Sequence, residues 1–146
     1  MPAELLALLA ATPAVLAHPA DFPEELRRFS EFDARIESSY NADLDGWRSK
    51  QLGARQFTEV VKRDILTPWS AERQRLASIT GFSKNQQPRI AELLAYMELR
   101  EQGWSMLLDG VRRNDQKALR QSSQLMEKAN ADIKALATAI GGRAID

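Results

Sequence analysis

Between Ile90 and Ile140 the apolar residues fall into two helical stripes separated by one corner. In the second stripe Leu119, Ser122, Met126, Ala129, Ile133, Leu136 and Ile140 follow one another at alternating intervals of three and four. Such intervals set every member on one face of an α-helix. Gly141 and Gly142 are expected to end it, because glycine accepts the left-handed conformation of a helix C-cap. The first stripe runs Ile90, Leu93, Leu94, Met97, Trp104, Leu107, Leu108 and Val111. Between the two lie Asn114 and Asp115. Asparagine tolerates left-handed backbone, and the aspartate can cap the free N–H groups of the next helix. A corner this short makes the two helices antiparallel neighbours, and their stripes read as core.

The rest of the chain supplies helices to pack against this pair. Asp21-Phe22-Pro23-Glu24 is a helix start: Asp21 as cap, Pro23 in the first turn, Glu24 and Glu25 at the positive end of the dipole. Leu26, Phe29, Phe32, Ile36, Tyr40, Leu44 and Trp47 share a face, and the helix is expected to run to about Gln51 with Gly53 as its stop. A further helix is expected from Ala54 to Ile79, ended by Thr80-Gly81, with Phe57, Val60, Val61, Ile65, Leu66, Trp69, Leu76 and Ile79 as its stripe. Pro68 predicts a kink or break near Leu66-Thr67, since proline removes one backbone bond and crowds the preceding turn. Ser83 to Pro88 reads as a polar loop. Residues 3–11 are a short helix candidate, and Thr12 to Pro23, with Pro13, Pro19 and Pro23, reads as a linker. The expected fold is therefore all-α: an up-down-up-down four-helix bundle with a short extra N-terminal helix. It forms one domain over 1–146, with the short helix and linker in 1–20 and the bundle in 21–142.

Composition narrows the function. The 20 basic side chains equal the 20 acidic ones, so no net field draws in a nucleic-acid backbone or an anionic membrane. The apolar run in 3–11 is shorter than the ~20 residues a membrane span needs. No Lys or Arg precedes it, which argues against a signal peptide. With no cysteine there is no disulfide, thiolate metal site or thiol nucleophile, and such a chain is stable on either side of a membrane.

Chemistry is equally sparse. A di-iron bundle needs Glu-x-x-His pairs on two helices, and the one histidine, His18, sits beside prolines in the linker. Met97, Met106 and Met126 are in helical register and read as packing, not as haem ligands. Ser38, Ser39, Ser122 and Ser123 have only His18 as a possible base. No glycine-rich phosphate loop precedes a helix. Neither a metal nor another cofactor is expected, and no catalytic residue is assigned.

One polar constellation remains. Glu72 and Arg73 lie between Trp69 and Leu76, and Arg100 and Glu101 lie between Met97 and Trp104. Both levels fall near mid-height of antiparallel helices, so one member of each pair is expected to point inward. A ligand-binding pocket built from Trp69, Glu72, Arg100 and Trp104 is the specific expectation, set against a simpler one in which the charges snorkel to the surface.

Two segments, Phe57 to Arg73 and Tyr96 to Trp104 with the Asn114-Asp115 corner, carry a resemblance. Together they resemble the soluble helical extension of some bacterial rhomboid-like membrane proteins, over about half of the chain. The protease's own Gly-x-Ser-x-Gly serine and its helix-borne histidine are missing, so the resemblance implies an accessory domain without protease activity. The leading expectation is a non-enzymatic interaction or regulatory domain that binds a protein partner or self-associates. A small-ligand sensor with its pocket between the tryptophans is the alternative.

Overall fold

The computed structural model describes residues 20–141, which form an all-α bundle of four helices. The first, α1, spans Phe22–Arg48. The second runs from α2 (Ala54–Val61) through a π-helical turn (Lys62–Leu66) into α3 (Thr67–Ala77). Helices α4 (Gln87–Arg113) and α5 (Gln116–Gly141) complete it. The expected N-terminal helix at 3–11, most of the linker, His18 and Gly142 lie outside the described residues.

Local sequence explains most helix ends. The Asp21 carboxylate accepts from the Glu24 N–H at 3.1 Å, so α1 begins where its capping residue stands. It ends at Arg48, earlier than Gln51, because Lys50 turns to φ 65° and the Leu52 N–H returns to the Gly46 carbonyl at 2.9 Å. Leu52 then lies over Gly46, where a Cβ would come within 2.9 Å of its Cδ1. Gly53 is not the stop expected of it. It is the N-cap of α2, and the Gln56 side chain accepts from its N–H at 3.1 Å.

Pro68 does not break the second helix. The Thr67 N–H bonds to the Lys62 carbonyl, and this wider turn relieves the crowding a proline imposes on the turn before it. It has a second consequence. Phe57, Val61, Ile65 and Trp69 follow at strict intervals of four, and all are fully buried. In a pure α-helix that spacing drifts about 40° per step, whereas the slower winding of a π turn holds it on one face.

The corner between α4 and α5 forms as its residues dictate. Asn114 adopts φ 52°, ψ 46°, and the Asp115 N–H closes on the Gly110 carbonyl at 2.8 Å. Asp115 in turn accepts from the N–H groups of Lys117 and Ala118. From there α5 packs along α4 in the antiparallel sense, and the Ser122 hydroxyl donates to the Gly103 carbonyl at 2.8 Å in the buried interface.

Pairings elsewhere complete the up-down-up-down order. Helix α1 runs antiparallel to α2 and α3, with Trp47 stacked on Phe57 at one end and Arg28 bound to Glu72 at the other. It runs parallel to α4, diagonally across the core, with Phe29 edge-on to Tyr96 and Tyr40 against Trp104. Three edges of the bundle are closed. Among the described residues the fourth, where α1 faces α5, stays open along a seam lined by both helices. No described helix is long and apolar enough to cross a membrane.

Candidate functional site

The four residues singled out in the sequence lie near one another without forming one pocket. Trp69 and Trp104 are fully buried and meet edge to face, ring centroids 4.9 Å apart, so no space for a ligand lies between them. The Trp69 indole N–H donates to the Met97 carbonyl at 2.8 Å. Glu72 and Arg100 do point inward, and their neighbours Arg73 and Glu101 take the outer positions and pair with each other at 2.5 Å.

Glu72 faces away from Arg100. It accepts from Arg28 of α1 at 3.1 Å and from Arg75 at 2.8 Å, and Arg75 continues to Glu25 at 2.6 Å. The four charges form a clip between α1 and α3. Burial acts to raise the Glu72 carboxyl, but hydrogen bonds from Arg75 and Arg28 outweigh it and hold the group below its ordinary value.

Arg100 looks the other way, into the open seam. Its guanidinium carbon lies 4.5 Å from the Trp104 ring centroid, and its Nη2 N–H donates to Glu37 at 2.7 Å. Its Nε and the Trp104 Nε1 are both buried without a hydrogen-bond partner. Beside them is a cleft of about 350 Å³ walled by Glu37, Tyr40, Arg100, Trp104, Ser122 and Met126 among others. Half of the expected constellation, Arg100 and Trp104, therefore borders a cavity, while Trp69 and Glu72 belong to the packed side.

Further along the same seam is a groove of about 430 Å³ that was not foreseen. Leu26, Phe29 and Ala34 of α1 form one wall, Ile133, Ala137 and Ile140 of α5 the other, with Leu93 of α4 beneath. The α5 wall follows intervals of four and three, and on α1 Ser30 and Asp33 share the face with the three apolar residues. The α5 wall is the continuation of the stripe that packs on α4, and its half-buried members are those left facing α1.

Asp33 stands in this apolar groove. Its Oδ1 is buried with no hydrogen-bond partner among the described residues. Burial pushes its carboxyl above the ordinary value; Arg100 and hydrogen bonding with Tyr96 pull against this, and Glu37 adds to it. The signal was present in the chain: Asp33 falls seven residues after Leu26 and four after Phe29, inside the apolar stripe, with Glu37 four further on.

Among the described residues no His, Asp and Glu side chains cluster as metal ligands would. Searches of family models, curated proteins and solved structures find no match to this chain.

Proposed function

We propose that this chain is a non-enzymatic interaction domain that accepts an amphipathic helix of a protein partner along the α1–α5 seam. The observation that carries this reading is the groove itself. Two facing apolar walls, Leu26, Phe29 and Ala34 opposite Ile133, Ala137 and Ile140, have no partner among the described residues, while the other three edges of the bundle are packed. Laying an amphipathic helix into such a groove is a common mode of peptide recognition. An accessory role beside a membrane protein, as the resemblance to rhomboid extensions implies, agrees with a domain that works through its surface.

The test is a titration with a leucine- and alanine-rich amphipathic peptide of about 16 residues, roughly 24 Å of helix. Amide resonance shifts confined to residues lining the groove, lost in Ala137→Arg, support the reading. Shifts scattered over the surface, or none, count against it.

A second reading, a small-ligand sensor, draws on the cleft beside Arg100. The unpartnered N–H groups of Arg100 and Trp104 lie at its edge, where a small molecule with an acceptor oxygen would satisfy them. A metabolite panel that changes tryptophan emission in the native protein but not in Arg100→Ala favours this reading. A panel without effect removes it.

A further inference from the structure

The charges along the seam do not balance. Asp33 and Glu37 both face it from α1, and Arg100, the cation that reaches them, is committed to Glu37 at 2.7 Å and to the face of Trp104. On α1, Arg27 pairs with Glu24 and Glu31, Arg28 pairs with Glu72, and the Arg35 guanidinium lies over the Phe32 ring, 5.8 Å from its centroid. Asp33 has the Tyr96 hydroxyl as a hydrogen-bonding neighbour, yet its Oδ1 is buried in an apolar groove and accepts no hydrogen bond among the described residues. An acceptor in that position costs least when a bound partner supplies the donor, and a charged donor supplies most.

We infer that the α1–α5 groove selects a helix carrying one lysine or arginine at one end of its apolar face, whose cation meets the Asp33 carboxyl. The inference rests on the reading of this groove as a helix-docking site. The apolar walls hold the leucine-like residues beside the cation, and they place it by register, since Asp33 stands at the end of the groove where Ala34 and Ile133 line it. A helix of uniformly apolar face leaves the Asp33 Oδ1 buried without a donor, and one with an acid at that position sets a second carboxylate against it.

Three peptides of identical sequence, differing only in a lysine, norleucine or glutamate at that end of the apolar face, are titrated against the full chain. The lysine peptide is expected to bind roughly tenfold more tightly than the norleucine peptide, the scale of one hydrogen bond to a charged group, and the glutamate peptide most weakly. In Asp33→Asn, shown to be folded by its unfolding midpoint, the lysine advantage is expected to vanish while norleucine binding persists. Asp33→Leu should reverse the preference. Equal binding of all three peptides to the native chain overturns the inference and leaves helix docking standing. If none of the three binds, helix docking itself fails and the inference with it. A native dimer that dissociates in Ala137→Glu makes a second copy the occupant, which also overturns it.

Discussion

The Trp69 indole N–H reaches the Met97 carbonyl at 2.8 Å with no solvent near either group. This bond joins α3 to α4 at the level where Trp69 also meets Phe29, Phe32, Tyr96 and Trp104. Edge-to-face pairs of this kind add about 0.5–1.5 kcal/mol beyond area burial. Trp69→Phe keeps most of the aromatic surface but loses the donor and part of the volume. It should cost about 2 kcal/mol, and Trp69→Ala about 3–5 kcal/mol. Urea unfolding followed by circular dichroism decides this. A Trp69→Phe protein as stable as the native one would show that the bond contributes nothing.

Arg100 separates packing from charge. Its side chain is 5% exposed and lies across Trp104, whereas Glu37, its partner, is 43% exposed and regains water when the arginine is removed. Arg100→Ala empties a buried volume and should cost about 2–4 kcal/mol. Arg100→Met fills that volume without a charge and should cost less than about 1.5 kcal/mol. Equal losses in both variants would mean that the ion pair, not the packing, holds this position.

At the α4–α5 corner the usual ranking of glycine and alanine should invert. Alanine is favoured over glycine in a helix by about 1 kcal/mol. At Gly110, however, a Cβ would lie 2.8 Å from Leu119 Cδ2 and 3.1 Å from the Leu119 backbone nitrogen. Gly110→Ala is therefore expected to lower stability by about 1–3 kcal/mol. Asn114→Gly should be neutral within about 0.5 kcal/mol, and Asn114→Val should lose about 1–2 kcal/mol at φ 52°. Thermal midpoints of the three variants check the order.

These residues also show which features a sequence discloses. The corner was legible because caps are local: Asn114, Asp115 and the ends of the flanking stripes carry the whole instruction within a few residues. The inward turn of Glu72 and Arg100 was legible from helical phase alone. Their partners were not, since Glu72 meets Arg28 and Arg100 meets Glu37 only once helices distant in sequence have taken their rotation in the bundle. Pro68 marked the place of an irregularity but not its form, because a kink, a break and a π turn all relieve the same clash. The groove was hidden for another reason. The stripe of α5 looks the same whether its far edge is buried or left facing a seam, and the width of that seam depends on how far α1 stands from α5.

Two carboxylates should give stability opposite dependences on pH. The folded Asp33 carboxyl sits above its ordinary value, so the folded state holds its proton longer than the unfolded chain does. Its contribution is fully present below the ordinary carboxylate range and is lost as pH rises through the folded value. Glu72 is held below its ordinary value, so its contribution is present at neutral pH and lost as pH falls through the folded value. Asp33→Asn should therefore raise stability at pH 7 and converge on the native protein in acid. Glu72→Gln should lower stability at pH 7, with the difference shrinking in acid. Unfolding midpoints measured across the acid range test both signs, and an Asp33→Asn protein less stable at neutral pH would contradict the first.

Filling the groove should stabilise the fold at the expense of binding. Ala34 and Ala137 line opposite walls and are exposed there, so each has room for a longer side chain. Leucine at either position would reach across the seam and cover apolar surface of the half-buried Leu26 and Ile133. At about 25 cal/mol per Å² of apolar area removed from water, a half-buried leucine adds roughly 1 kcal/mol. Ala34→Leu and Ala137→Leu are thus expected to raise the thermal midpoint by a few degrees. Each should also weaken the lysine peptide severalfold by occupying its space, the trade of stability against function expected where a surface is kept open for a partner. If both variants gain stability and bind the peptide undiminished, the peptide lies elsewhere on the bundle. If both lose stability, α1 and α5 already stand too close for the seam to be a helix-sized groove.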